Sequence, residues 1–234
     1  MIMPDHPTAL LWRQALSTDS VFCDALVSNE ILTRAQMEHA AERYRLGASR
    51  SRGVIFWQID KENRIHDGKI MYYLSDCHRN KDKRFHPTWV SAILQKRYQW
   101  PDTPRASHCL FGLHLTSSVS PQTSIAIVEA EKTAVILSEI YPQYLWLATG
   151  GLGEVQPEKF RPLRGYHIML IPDTDSDGTA FKRWSLAAQE VQHQPWWDGC
   201  PPLEVSSILE HHATPDQKHR KIDLADYYIE SIRK

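Results

Sequence analysis

The sequence predicts an α/β fold: a parallel sheet with flanking helices, preceded by a smaller mixed α+β subdomain. Two apolar, β-branched runs carry that expectation, Ile125-Ala126-Ile127-Val128 and His167-Ile168-Met169-Leu170-Ile171. Buried parallel strands read as continuous apolar runs rather than alternating ones. Each run is followed by a helical pattern, so the order strand, helix, strand repeats through the C-terminal half. The third observation is a Ser/Pro-rich stretch, SSVSPQTS at 117–124, which marks a boundary. The expected division is 1–120 for the N-terminal subdomain and 121–234 for the parallel α/β domain.

The elements follow in order. Residues 1–18 hold a short apolar helical pattern through Leu10, Leu11, Ala15 and Leu16. Two further helices are expected across 19–47, the first capped by Asp19 or Ser20. Thr33 followed by Gln36 fits a capping box for the second, with Gly47 as its stop. Residues 53–60 and 68–74 are rich in β-branched and aromatic residues and read as an antiparallel hairpin. Residues 86–98 read as a helix with Pro87 in its first turn. Residues 100–107 form a loop, and CLFGLHL at 109–115 a short strand or turn.

Beyond the boundary the expected elements are strand 124–130, helix 131–141, strand 144–149, strand 166–172, helix 178–192 and strand 203–208. HHATPDQKHRK reads as a polar loop and IDLADYYIESIRK as the closing helix. Parallel strands joined by right-handed crossovers are the expected topology.

Composition narrows the class. The 234 residues contain 42% hydrophobic and 24% charged residues, as an ordinary globular protein does. No apolar run is long enough to span a bilayer and no signal-peptide pattern opens the sequence. The expected location is therefore the cytoplasm, with no membrane partner. Cys23, Cys77, Cys109 and Cys200 lie far apart, which favours reduced thiols over a disulfide framework. Cys77 with His78 and His86, and Cys109 with His108, fit no standard zinc spacing. The net charge of −1 does not exclude nucleic acid, because a balanced total hides a polarised surface.

The chemistry is expected where the strands end in acids. Ligands in open α/β sheets bind beyond the carboxyl ends of the strands. Glu129 follows the first run, and PDTDSDG places Asp173, Asp175 and Asp177 after the second. Clustered carboxylates repel one another unless a cation is present, and oxygen donors suit a hard ion such as Mg²⁺. Asp173 and Asp175 are the expected metal ligands. Asp177 is a further ligand or a supporting neighbour, and Glu129 a metal-linked acid or general base. The alternatives are a solvated, helix-capping turn at 172–178 and a first-turn glutamate at Glu129.

These half-motifs resemble the Toprim domain, the catalytic module shared by bacterial replicative primases and topoisomerases. The matching residues are Glu129 in IVEAEKTA, the glycine turn in LATGGLG at 148–153, and Asp173 and Asp175. The resemblance covers roughly residues 122–230 and is specific because three separated motifs occur in order. It implies a compact parallel sheet that binds Mg²⁺ (or Mn²⁺) and handles phosphodiester chemistry through those acids. Asp223 and Asp226 in KIDLADYYI resemble an acid-bearing ending that follows the last Toprim strand in primase and helicase relatives. The first half, through YRLGASRSRGVIFWQID, GKIMYY and CLFGLHL, looks like the subdomain that precedes Toprim in primases. The match is closer to the small primase-like Toprim proteins of mobile elements. Within these 234 residues the sequence shows no Cys/His zinc-ribbon pattern before this region and no helicase-binding pattern after it. Those departures bear on template recognition and helicase coupling.

The resemblance implies a primase-type nucleotidyltransferase that makes primers on single-stranded DNA from nucleoside triphosphates, with a replicative helicase as a partner. A nuclease of the Toprim class, and a non-catalytic nucleic-acid-binding module, are the other two readings. Lys132, Arg50, Arg52, Lys69, Gly150 and Gly151 are the expected nucleotide or nucleic-acid contacts, with Arg43, Arg45 and Gly153 beside them. For the cations the alternative is a solvated face, and for the glycines a turn needing positive φ. Trp57, Tyr72 and Tyr73 are either base-stacking groups or core.

Overall fold

The computed structural model describes residues 16–98 and 108–232. The N-terminal apolar pattern, apart from Leu16, and the whole of the expected 100–107 loop lie outside those residues. The chain forms two compact units, one ending at Leu115 and the other starting at Thr116.

In the first unit, the Ser20 hydroxyl accepts the Cys23 amide at 3.2 Å and starts the helix Val21–Ser28. The capping box forms as expected, with Thr33 and Gln36 satisfying each other's backbone N–H groups at the head of the helix Arg34–Arg43. That helix ends sooner than the sequence suggested. Arg45 takes a positive φ of 54°, and Gly47 belongs to a strand instead of stopping the helix.

The sheet of this unit has the order β1 (Gly47–Ala48), β2 (Val54–Ile59), β3 (Ile65–Met71) and β4 (Thr88–Trp89), all antiparallel. The expected hairpin is β2–β3. β4 was not expected: Thr88 and Trp89 pair with Ile70 and Lys69, so the next helix runs Val90–Tyr98 and Pro87 precedes it.

β2 is buried along its whole length. Phe56 meets Phe22 and Phe111 edge-on, and Tyr44 stacks on Phe111 at 5.1 Å. Trp57 is fully buried, and Gly68 lies so close across the hairpin that a Cβ there would fall 2.7 Å from the indole. Tyr73 is buried as well. Trp57 and Tyr73 are thus core side chains, and the base-stacking alternative fails for both.

The second unit has a parallel sheet of order β6 (Leu145–Ala148), β5 (Ile125–Val128), β7 (Ile168–Ile171) and β8 (Leu203–Val205). β5 and β6 are fully buried, as continuous apolar runs require. The helix Glu131–Ile140 follows β5 and the helix Thr179–Gln192 follows β7. The latter buries Ala180, Trp184, Ala188 and Val191.

The segment expected to be a polar loop after β8 is helical. It forms Ile208–His212 and Pro215–Arg220, the second opened by a capping box between Thr214 and Gln217 with Pro215 in the first turn. The helix Leu224–Ile232 is the last described element. Among the described residues, no helix is long and apolar enough to cross a membrane.

Candidate active site at the carboxyl ends of the parallel strands

The ladder pairs Val128 with both Ala148 and Ile171, so three neighbouring strands end level. Glu129 follows β5 by one residue and Asp173 follows β7 by two, which brings both acids to the same rim. Beside them, β6 runs into the glycine turn. The Thr149 amide donates to Val128 O at 3.0 Å and the Gly150 amide to Glu129 O at 2.9 Å. The turn therefore extends the ladder up to the backbone of Glu129. Gly150 takes φ +86°, which requires glycine. A Cβ on Gly151 would meet only Glu154 Cγ, at an ordinary contact distance of 3.6 Å.

Asp173 is the electrostatic centre. Its carboxyl sits well above the usual carboxylate range because it is enclosed by protein and because the charges of Asp223 and Glu129 oppose its ionisation. Lys132 works the other way, and Asp226 adds to the repulsion. Asp223 and Asp226 thus join the acids that the strand ends display. Burial and Asp223 push the Asp226 carboxyl up too, against the pull of Lys132.

The loop that carries Asp173 is fixed from outside the sheet. Thr174, 1% exposed, donates its hydroxyl to Glu210 Oε1 at 2.9 Å and its amide to Ile222 O at 3.1 Å. Sequence reading missed Glu210 altogether, since nothing in ILEHH marks a partner for a threonine in another loop.

Asp175 is placed differently from Asp173. Its Oδ1 accepts the amides of Asp177 at 3.0 Å and Thr179 at 2.8 Å, and its Oδ2 accepts that of Ala180 at 2.8 Å. Partial burial works to raise this carboxyl, but those three N–H groups and the charge of Lys221 outweigh it and hold it below the ordinary range. Asp175 therefore caps the helix Thr179–Gln192, the role the sequence offered as its alternative. Its lone pairs still leave room for a cation. Asp177 is exposed at the turn.

Lys132 is no solvated first-turn lysine. Its Nζ lies 2.7 Å from Asp226 Oδ1 and 3.2 Å from Asp223 Oδ2. The other expected nucleic-acid contacts, Arg50, Arg52 and Lys69, belong to the first unit. Arg52 pairs with Asp19 at 3.2 Å and also with Asp24. Arg50 is exposed, and Lys69 lies in β3 opposite Phe56.

Among the described residues, no three His, Cys, Asp or Glu side chains stand together as a complete metal cage. A Mg²⁺ site does not need one, because the ion uses one or two carboxylates and completes its shell with waters and substrate phosphates. The donors at the rim are all carboxylate oxygens, and ionising the carboxyl of Asp173 among its acidic neighbours is unfavourable without added positive charge. These residues fit a hard divalent cation.

Residues 20–174 match a family model described as a domain of unknown function, DUF6371. No curated protein matches the chain. Solved structures with the same fold include the DnaG catalytic core, at 13% identity and TM-score 0.54, with 96% of this chain and 77% of that one covered. The Escherichia coli primase catalytic core follows at 13% identity and TM-score 0.52, covering 96% and 82%. The DnaG primase catalytic domain bound to single-stranded DNA has 14% identity and TM-score 0.51, covering 97% and 75%. At these identities the likeness establishes the fold: a mixed α/β chain whose parallel, helix-flanked sheet is of the Toprim type, similar to bacterial primase cores.

Proposed function

The chain belongs to the DUF6371 family, and we propose that it is a Mg²⁺-dependent nucleotidyltransferase of the primase type. It would synthesise oligonucleotide primers on single-stranded DNA from nucleoside triphosphates. The observation that carries this reading is the placement of Glu129 and Asp173 just beyond the level ends of β5 and β7, with the charges of Asp223 and Asp226 acting on Asp173. Acids gathered in that way suit a site completed by a cation and a polyphosphate.

Asp173 would hold the cation, with Asp175 contributing from its capping position and Asp177 from the exposed turn. When bound, Mg²⁺ supplies charge neutralisation on the transferred phosphate and its leaving group. Glu129 orients the attacking hydroxyl and accepts its proton. Gly150 and Gly151 let a phosphate approach the backbone at the end of β6. Arg50, Arg52 and Lys69 would contribute sequence-independent attraction to the template. The two-part division at about residue 120, a cytoplasmic setting on a mobile element, and work beside a replicative helicase belong to the same proposal.

The test is incorporation of labelled nucleotide on single-stranded DNA with Mg²⁺ or Mn²⁺, run beside Glu129→Gln. Oligonucleotide products that vanish in the variant support the reading. Cleavage of the template without synthesis would assign a nuclease instead, and strand binding with no turnover a binding module. Either result overturns the proposal.

A further inference from the structure

Lys132 opens a question that the metal-dependent reading leaves unaddressed: how many cations the acids can take. Phosphoryl-transfer centres often hold two metal ions about 3.5–4 Å apart, which clamp the attacking and leaving oxygens. At the rim Asp173 stands among Glu129, Asp223 and Asp226, and Asp223 is the strongest of the charges that oppose it. Asp223 and Asp226 share a cation of the protein's own. Lys132 Nζ bridges Asp223 Oδ2 at 3.2 Å and Asp226 Oδ1 at 2.7 Å.

The surroundings make this bridge firm. The Lys132 side chain is 13% exposed and that of Asp223 only 6%. Charges so shielded from water interact far more strongly than surface ions. The remaining oxygen of Asp223, Oδ1, accepts the Asp226 amide at 2.8 Å and so heads the helix Leu224–Ile232. A lysine ammonium is a compact point charge with three donors, a shape that can satisfy two carboxylates together. Because Lys132 is tethered in the first turn of the helix after β5, an entering ion would have to displace a cation that cannot diffuse away.

We infer that Lys132 is a built-in counter-ion that occupies the charge position of a second metal, so that this site takes one divalent cation, held through Asp173. This rests on the metal-dependent reading above. It also changes the expected role of Lys132 from contacting phosphate to holding Asp223 and Asp226.

Mn²⁺ binding to the full chain, counted by electron paramagnetic resonance and by calorimetry, tests it without recourse to activity. One Mn²⁺ in the wild type, two in Lys132→Met and one in Lys132→Arg are expected. Two in the wild type, or one in Lys132→Met with wild-type circular dichroism, would overturn the inference. Should Lys132→Met not fold, the double variant Asp223→Asn with Asp226→Asn decides. Retention of the single Mn²⁺ supports the inference, and its loss shows that those aspartates hold the ion and overturns it. A wild type that binds no Mn²⁺ refutes the metal-dependent reading itself, a different outcome from binding two.

Discussion

Replacing Thr174 with valine removes one hydroxyl from the loop between Asp173 and Asp175 while keeping its branched shape. What disappears is the 2.9 Å hydrogen bond to Glu210 Oε1. A hydrogen bond to a charged group contributes about 1.5–3 kcal/mol net. Glu210 keeps 21% side-chain exposure and has Lys218 Nζ 3.7 Å from Oε2, so water and the lysine absorb part of the loss. The lower end, about 1.5 kcal/mol, is therefore expected. For a chain of this size each kcal/mol moves the melting temperature by about 2–4 °C, giving a fall of about 3–6 °C. The second consequence is functional. Removing a partner that orients a metal-holding loop typically weakens the metal by 10–100-fold, and about tenfold weaker Mn²⁺ binding is expected here. Thermal denaturation followed by circular dichroism, with a Mn²⁺ titration, measures both. A Thr174→Val protein with wild-type melting temperature and wild-type Mn²⁺ affinity refutes the clamp.

Asp173→Asn separates the charge of Asp173 from its shape. The folded-state carboxyl is raised above its ordinary value of 3.8, so between the two values the folded protein binds more protons than the unfolded chain. Its contribution is most favourable below 3.8 and is lost as pH rises through the raised value. In metal-free buffer the melting temperature of the variant, relative to wild type, should climb across that interval and then level off; a difference independent of pH refutes the assignment. Gly150→Ala forces a left-handed backbone on a residue with a Cβ, costing about 1–2 kcal/mol, whereas Gly151→Ala serves as control because its Cβ would meet only Glu154 Cγ at 3.6 Å. Equal melting temperatures for the two variants would show that the turn tolerates a side chain at Gly150.

Much of this site could be read from sequence because strand ends announce themselves. Continuous apolar runs place Glu129 and Asp173 at one rim without any knowledge of their neighbours. Lys132 could not be read that way, since its partner Asp226 is 94 residues further along the chain and only the fold joins them. Asp175 carried two signals at once, a metal ligand and a helix cap, and amide geometry shows that it caps. The helix Pro215–Arg220 was available in Thr214-Pro215-Asp216-Gln217, a capping box with proline at the first position, but the polarity of the segment outweighed it. β4 left no such signal. Two residues, Thr88 and Trp89, become a strand only because β3 offers its edge.

The level ending of β5, β6 and β7 has a consequence for how sequences of this fold can diverge. Inserting or deleting one residue within any of these strands would reverse its faces and shift its terminal acid or glycine along the rim. Changes of length can accumulate only outside the ladder, in connections such as the segment between β6 and β7. What must persist is a strand length and the residue types just past its end, a requirement on very few positions. Chains only 13% identical can then share the fold over 96% of this one.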